Sequence, residues 1–432
     1  MKNNRRDFIK MAAMAGSAAA ILPLTASGIE KKSKSGGVDY SVLDSILKLP
    51  VLKKELFSSP VIIEKIELLQ DRKNFICRVR SKDGAGGISI GHPFIAQNSY
   101  PMFMNILIPF FTGKDARDLD ELIYIISETK VKTQGIPFCV QLATIEFAIL
   151  DMLGNIAGLP AGRLLGDVVN TKISIYLGHW LTEFRKLEPE QSLELMYQDV
   201  IKTKAKAVKI RAGRGDNLAS DIDNAPGRTE KLIRMAREKF GNDMVLMCDG
   251  NGSYSVKEAI RIGKILEEYK YYFYEEPLPW DWYQEQKQVE QALSIPIAGG
   301  EEEFGIHAFR YLIANKVFQI VQPDLFYFGG MIRTMKIARM AQAAGLRITP
   351  HMSEGGLGFL YMLQMVSVCP ALEKFNEFKM FKTSDANGTI IPIESKAEKF
   401  ESIDGVIKIP SGSGMGVVID PDYIKTHKVI NI

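Results

Sequence analysis

The chain has 432 residues, of which 46% are hydrophobic and 24% charged, proportions that are ordinary for a soluble globular protein. Its net charge of +3 equals the charge of the first 26 residues, where Lys2, Arg5, Arg6 and Lys10 outnumber a single acid, Asp7, so that the remainder is close to neutral. A neutral body argues against nucleic acid and against an anionic membrane as the main partner.

The N-terminus is predicted to be a targeting segment rather than part of the fold. The letters RRDFIK at 5–10 precede an apolar run from Met11 to about Pro23, which is short for a membrane span of roughly 20 residues. A basic start, a modest apolar stretch and small residues near Ala26 are typical of a cleaved signal. The paired arginines followed by Phe and Lys resemble the twin-arginine type, which exports folded proteins. We expect residues 1–26 to direct the protein to the periplasm without stable membrane insertion of the mature chain; a general secretory signal or an uncleaved anchor is the alternative.

Four cysteines are scattered along the chain, at Cys77, Cys139, Cys248 and Cys369. They have neither metal-ligand spacing nor the density of a disulfide framework, in spite of the exported context. We predict that all four are buried packing residues.

Residues 27–37 are polar and rich in Gly, which predicts a linker. The next part, residues 38–167, has the pattern of an α+β domain. Its predicted antiparallel strands are Ile62–Leu68, Phe75–Arg80 and, after a turn at Asp83-Gly84, Gly87–Ile90. Helices are predicted within residues 115–165, where Ala143, Phe147, Leu150 and Leu153 form one apolar stripe.

Between residues 168 and 380, short apolar runs alternate with helical segments. The predicted strands are Ile173–Leu177, Ala207–Ile210, Met244–Cys248, Tyr272–Tyr274, Pro296–Ala298, Phe318–Val321, Arg347–Thr349 and Leu372–Phe375. Eight strands separated by helices imply a parallel sheet that closes into a barrel. Residues 381–432 are irregular, with short strands near Ile390 and Val406 and a Gly-rich turn at 412–416, and are expected to return to the N-terminal domain.

Acidic residues end three consecutive predicted strands of this barrel. Asp249 ends VLMCDGN, Glu275 ends YYFYEEP and Glu301 ends IPIAGGE, and successive acids are 26 positions apart. Strand ends converge at one mouth of a parallel barrel, and three carboxylates meeting there would repel one another without a cation. Hard oxygen ligands suit Mg²⁺. A helix cap or solvated loop acid is the ordinary reading of each one alone.

The next two strand ends carry Asp324 and His351. A carboxylate behind a His fixes its tautomer and stabilises its protonated form, so this pair is a candidate for general acid–base chemistry. On the second strand, alternation places Lys209 and Arg211 on one face. We expect that face to be the barrel lumen, where both cations would point at a metal-bound substrate; an outward pair on the surface is the alternative.

The order K-x-R, D-G-N, E-E-P, G-G-E, P-D and H resembles the mandelate racemase branch of the enolase superfamily. The helix AILDMLG at 148–154 and the following LLG at 164–166 resemble the capping domain of that family. The resemblance implies an α/β fold, a modified TIM barrel of (β/α)₇β form with an N-terminal α+β capping domain that is completed by the C-terminal tail. No Lys follows Asp324, where the sequence is LFYF, which disfavours the muconate lactonizing and dipeptide epimerase branches.

The resemblance also implies a role for each acid. Asp249, Glu275 and Glu301 would bind Mg²⁺, while Asp324 and His351 would be the orienting acid and the general base. Glu377, in the run FNEF, matches the glutamate that hydrogen-bonds the substrate carboxylate or enolate, and Lys209 matches the residue that binds the carboxylate.

Arginine stays protonated in proteins, so Arg211 cannot be the second base that racemisation requires. A single base, His351, suffices for β-elimination, because its imidazolium can protonate the departing hydroxyl. We therefore predict a hydro-lyase that dehydrates a small sugar acid to a 2-keto-3-deoxy acid. Two alternatives remain open: a racemase, epimerase or cycloisomerase with Lys209 or an unrecognised group as second base, and a non-catalytic carbohydrate-acid binder.

Specificity is expected from loops at about 69–74 and 91–100, which would close over the barrel mouth. Candidate substrate-binding residues are His92, Phe94, His179, Trp180 and Asn251. The segment between Arg211 and Asp249 is longer than usual for the family and is predicted to add a loop over the site. We also expect the protein to form a homo-oligomer.

Overall fold

The computed structural model describes residues 37–178, 186–353, 357–378, 385–396 and 401–431, which contain two large β-sheets and a two-stranded sheet of Ile393–Ser395 and Val417–Ile419. The helices are α1 Tyr40–Leu47, α2 Ala96–Met102, α3 Ile108–Phe111, α4 Leu119–Thr129, α5 Ile136–Ala157, α6 Pro189–Thr203, α7 Arg228–Phe240, α8 Val256–Glu268, α9 Tyr283–Ala292, α10 Ile306–Ala314, α11 Met331–Ala343, α12 Leu357–Val366 and α13 Pro421–Lys425. The strands are β1 Ile63–Asp71, β2 Asn74–Ser81, β3 Gly86–Ile90, β4 Lys172–Gly178, β5 Ala207–Arg211, β6 Val245–Asp249, β7 Tyr274–Glu275, β8 Ile297–Gly299, β9 Ile320–Val321, β10 Arg347–Ile348, β11 Phe375–Phe378, β12 Ile393–Ser395, β13 Val406–Lys408, β14 Val417–Ile419 and β15 Lys428–Val429.

The larger sheet contains the eight parallel strands β4 to β11. Strands β4 to β10 pair in chain order, and β11 returns to pair with β4. A parallel bridge between Ile348 and Leu372 joins the remaining two edges, so the sheet closes on itself. Helices follow the strands around it, which is the arrangement expected of a (β/α) barrel. The predicted α/β barrel is confirmed.

The predicted eighth strand, Leu372–Phe375, is displaced from the observed one. Residues around Leu372 bond to β10, with the amide of Glu373 donating to the carbonyl of Ile348 over 2.7 Å, whereas β11 pairs with β4. Residues 372–378 therefore bond first to β10 and then to β4, because strands in a barrel are staggered. The apolar pattern cannot show where the chain changes partner. The predicted fourth strand, Tyr272–Tyr274, is displaced in the same direction.

The smaller sheet has the order β15-β1-β2-β3 and is antiparallel. Its edge strand β15 comes from the C-terminus, and pairs Leu69 with Val429 and Gln70 with Lys428. The tail thus completes the N-terminal sheet, as the resemblance implied. The boundaries proposed between the domains stay predictions.

Helix α5 forms the core of the N-terminal part. Its residues from Phe138 to Gly154 are buried on every face, and it ends at Gly158 in the left-handed region with φ +64°. Among the described residues it is the one helix long and apolar enough to cross a membrane, but 89% of its apolar window is buried inside the protein. Asp151 on this helix accepts the amides of Ile88 and Met415, so one carboxylate joins strand β3 to the C-terminal segment.

Glu146, also on α5, is fully buried and caps a barrel helix. Its Oε1 accepts the amides of Met331 over 2.6 Å and of Ile332 over 3.0 Å, at the N-terminus of α11. Burial raises the pKa of this carboxyl to about 8, against a smaller lowering by the two amides. The contact therefore fastens the core helix of the N-terminal part to the barrel through a group that is neutral near pH 7.

This burial predicts a pH-dependent stability. Between the unfolded pKa of 4.5 and the folded value of about 8, folding takes up a proton, so the contribution of Glu146 is lost as the pH rises. Glu146→Gln keeps an oxygen for the two amides and does not titrate. Urea unfolding at about pH 5 and about pH 8 measures the free energy of unfolding of both proteins. Relative to the wild type, the variant should be more stable at the higher pH than at the lower one, by roughly 1.4 kcal/mol per pKa unit of the shift. An equal difference at both pH values would contradict the burial effect.

Candidate active site

Three carboxylates meet at the mouth of the barrel, where the strands end. Asp249 ends β6 and Glu275 ends β7, and the two lie side by side in the register of these strands. Glu301 follows β8 after Gly300, whose φ of +106° turns the chain. Oxygen atoms of all three side chains lie within 4.8 Å of one another, and all three residues are buried. The structure brings these predicted ligands together.

Two cations from β5 contact this group. The Nζ atom of Lys209 donates to Oε1 of Glu275 and lies 3.6 Å from Oδ2 of Asp249. The Nη1 atom of Arg211 donates to Oδ2 of Asp249 and to Oδ1 of Asn251. Lys209 is fully buried. Both side chains therefore point into the lumen as predicted, and they partly compensate the charge of the buried acids.

Asp324 and His351 form the predicted dyad. The Nδ1 atom of His351 is 2.8 Å from Oδ2 of Asp324, which also accepts the amide of Ser353 over 2.5 Å. The other oxygen, Oδ1, accepts the amides of Phe326 and Tyr327 over 2.8 and 2.9 Å. Burial alone would raise the pKa of Asp324, but the bond and charge of His351 and the amide of Tyr327 outweigh it and lower the pKa. The anionic carboxylate assigns the proton of the imidazole to Nδ1.

The opposite nitrogen of His351 faces the acids. Its Nε2 lies 3.6 Å from Oε2 of Glu301 and 3.7 Å from Oε2 of Glu377. Glu377 stands on β11, in register with Tyr176 of β4, and its Oε1 is 3.7 Å from Nζ of Lys209. Glu377 therefore lies between the lysine and the imidazole.

A divalent cation fits this donor set. Oε2 of Glu301 is buried and has no hydrogen-bond partner in the described part of the chain, although a buried polar atom normally has one. The available donors are carboxylate oxygens, which are the ligands that Mg²⁺ prefers. Glu276 and Glu302 form a second acidic group with Glu301. Of the two groups, Asp249, Glu275 and Glu301 fit such a cation better, because these side chains also face Lys209 and His351.

Two residues of the site were not predicted from sequence. Gln322 is fully buried, and its Nε2 donates to Oε2 of the metal-ligand candidate Glu275 over 2.8 Å. Its place two residues before Asp324 in the run IVQPD was the available signal. Gly178 ends β4, and a Cβ there would lie 3.3 Å from Oε1 of Glu377 and 3.6 Å from Cε of Lys209. A glycine leaves room for these two side chains.

The predicted specificity residues have different surroundings. His92 is buried, and its ring centroid lies 5.5 Å from that of Phe326 and 5.6 Å from that of Tyr327, the two residues whose amides hold Asp324. Phe94 is 71% exposed. Asn251 contacts Arg211, and its amide donates to Oδ1 of Asp249 over 2.9 Å. His179 and Trp180 lie outside the described residues.

Known proteins resemble this chain in sequence. The sequence model of the family described as "Enolase C-terminal domain-like" matches residues 193–423. An arabinonate dehydratase from Saccharolobus solfataricus is 26% identical over 290 residues, which cover 66% of this chain and 72% of that protein. A D-galactarolactone cycloisomerase from Agrobacterium fabrum is 27% identical over 323 residues, covering 73% and 82%.

A solved structure is also similar. It is a mandelate racemase/muconate lactonizing protein from Paracoccus denitrificans in complex with magnesium, with a TM-score of 0.75 and 25% identity, and the match covers 86% of this chain and 99% of that one. The family match spans more than half of the chain and includes every strand from β5 to β11. The chain therefore belongs to the enolase C-terminal domain-like family and is an enzyme of the enolase superfamily.

Proposed function

We propose that this enzyme removes the proton next to the carboxylate of a sugar acid and eliminates water, giving a 2-keto-3-deoxy acid. The observation that carries the proposal is the placement of one imidazole, His351, opposite Lys209 and beside a group of three buried carboxylates. A relative that matches 66% of this chain is named an arabinonate dehydratase.

The three acids, through the metal ion that they would bind, and the two cationic side chains would stabilise negative charge in this reaction. Bound to Asp249, Glu275 and Glu301, Mg²⁺ would supply electrostatic stabilisation of the negative charge that develops on the substrate carboxylate. Lys209 and Arg211 add positive charge at the same place. These groups are needed because a positioned base alone contributes only roughly 10²–10⁴-fold.

His351 moves the protons. Asp324 holds Nδ1, so the free electron pair of Nε2 faces the substrate and takes the α-proton. The imidazolium that forms then donates this proton to the departing hydroxyl. Arg211 stays protonated and cannot serve as a base on the other face, which favours elimination over racemisation.

A cycloisomerase is the second candidate, because one relative is named a D-galactarolactone cycloisomerase. It also needs only one base per proton-transfer step. The two candidates differ in their products, since elimination releases water and forms a keto acid whereas cycloisomerisation conserves the formula.

A screen of acid sugars tests the proposal. The purified enzyme with Mg²⁺ should convert at least one aldonate or uronate-type acid to a 2-keto-3-deoxy acid, detected by mass as a loss of water and by a carbonyl-specific colour reaction. Chelation of the metal should abolish turnover. Exchange of the α-proton with solvent deuterium without loss of water, across the whole panel, would favour an isomerase instead. No exchange with any bound acid would indicate a binding protein.

We also propose that the folded enzyme is exported to the periplasm by the twin-arginine signal. All four cysteines, each in a described range, are buried and unpaired by disulfides. Burial raises the thiol pKa of each one, for Cys369 to about 12, and the thiolate is the reactive form. Folding before export would hide these thiols from an oxidising compartment, whereas an unfolded chain would expose them.

Subcellular fractionation tests the export route. The wild-type chain should be periplasmic with four free thiols that react only after denaturation. Replacing both Arg5 and Arg6 with Lys should keep it in the cytoplasm with unchanged activity. Undiminished export of the double variant would contradict the twin-arginine route, and retention of wild type in the cytoplasm would contradict export.

A further inference from the structure

The turn after β6 carries Asn251 and is held by its neighbours on both sides. This turn, residues 250–253, contains Asn251 with φ +39° and Gly252 with φ +66°, a conformation that Asn and Gly tolerate best. On one side, the amides of Gly250 and Gly252 donate to the carbonyls of Glu275 and Glu276, each over 2.9 Å. The turn therefore rests against the end of β7.

On its other side the turn meets the long segment that follows Arg211. The amides of Asn217, Ala219 and Asp221 donate to the carbonyls of residues 251, 252 and 253 over 3.2, 2.9 and 3.0 Å. This segment, residues 212–227, is thus fixed to the turn by a ladder of backbone bonds. The additional loop predicted from the sequence lies beside the turn that follows Asp249.

Ser253 links the turn and the long segment at its buried end. Its side chain is fully buried; the hydroxyl donates to the carbonyl of Gly250 and accepts the amide of Gly215, both over 2.6 Å. A Cβ at Gly213 would lie 2.5 Å from Cβ of Ser253, so the two chains touch. One hydroxyl therefore closes the turn and attaches it to the segment after β5.

We propose that Ser253 is a positioning residue of the active site, which acts through Asn251 on Arg211 and Asp249. The turn that Ser253 closes aims the amide of Asn251 at Oδ1 of Asp249 and its side-chain oxygen at Arg211. Outer contacts that orient a ligand carboxylate set its affinity for a metal ion. Ser253 thereby joins the strand that supplies the cations to the strand that supplies a metal ligand. The inference rests on the proposed function for its assignment of Asp249 to Mg²⁺.

Calorimetric titration of the purified full chain with Mg²⁺ alone tests this role. Ser253→Ala should weaken Mg²⁺ binding about tenfold, within the range for outer-shell partners, and it should raise KM more than it lowers kcat, because Arg211 is also released. Ser253→Cys keeps a weak donor and acceptor and should give an intermediate Mg²⁺ affinity. Circular dichroism would establish that each variant is folded.

Ser367→Ala is the matched control. Ser367 is also buried, and its hydroxyl donates to the carbonyl three residues earlier, that of Gln364, over the same 2.6 Å. This variant should lose thermal stability without losing Mg²⁺ affinity. Equal Mg²⁺ affinity of Ser253→Ala and wild type would refute the positioning role and leave the proposed function intact. Failure of wild type to bind Mg²⁺ would overturn both.

Discussion

Replacing His351 with Asn is expected to lower kcat by roughly 10²–10⁴-fold, the contribution of a positioned general base, while Mg²⁺ still binds. The asparagine preserves a polar side chain that can bond to Asp324 but cannot accept the α-proton. Because Nε2 of His351 lies 3.6 Å from the nearest metal-ligand candidate, Glu301, the carboxylates that hold the cation are left in place. Steady-state kinetics on the sugar acid found in the screen, together with Mg²⁺ titration, would measure both quantities.

His307→Asn is the control for this substitution. His307 is exposed, near the start of α10, so kcat should not change. Asp324→Asn should also lower kcat, because an amide no longer stabilises the imidazolium or fixes the proton on Nδ1. Full activity of the His351 variant with Mg²⁺ bound would refute the role of His351 as base, and with it the proposed mechanism.

Replacing Glu301 with Gln is expected to lower Mg²⁺ affinity by more than about 100-fold, since a direct ligand should matter more than the outer-shell partners that cost 10–100-fold. Glu301 is the sharpest choice among the three acids because Lys209 and Arg211 contact the other two, Glu275 and Asp249. Turnover should be lost in parallel. Calorimetry would report the affinity, and the rise of Tm on adding Mg²⁺, which follows from preferential binding to the folded state, should be much smaller in the variant.

Glu303→Gln is the control, because it removes a negative charge from the same loop without removing a proposed metal ligand. Glu303 is buried in the same loop, but its carboxylate accepts the hydroxyl of Tyr283 and the amide of Gly305, and it is not part of the group that faces Lys209. This variant should bind Mg²⁺ like the wild type. If both glutamine variants bound Mg²⁺ normally, Glu301 would not be a ligand, and the alternative acidic group with Glu276 and Glu302 would fail with it, because it shares Glu301.

Much of the site could be predicted from the sequence, because a parallel barrel places the ends of its strands at one mouth. Asp249, Glu275 and Asp324 stand at or just after apolar runs, so their positions follow from strand order and periodicity alone. The effect of Arg211 on the mechanism could also be predicted, since a side chain that stays protonated cannot be the second base of a racemase, whatever its surroundings. The signal prediction and the expected homo-oligomer stay predictions.

Other features depended on contacts between distant segments. Glu146 caps a helix that begins nearly 200 residues further along the chain. No local pattern in the sequence marks a buried acid as a cap. Gln322 and Ser253 are ordinary polar residues in the sequence, and their bonds to Glu275 and Gly215 exist only once neighbouring strands are assembled.

By itself, the sequence determined the barrel class, the acids at the strand ends and the candidate base His351, because these depend on residue type and on spacing along the chain. Only the tertiary structure decided which way Lys209 and Arg211 point, that Glu377 lies between Lys209 and His351, and where the chain changes strand partner near Leu372. The physical reason is that side-chain distances across a closed sheet are set by register and stagger. Hydrophobic alternation along a strand indicates which face of the sheet a residue occupies, but it does not give the stagger between strands.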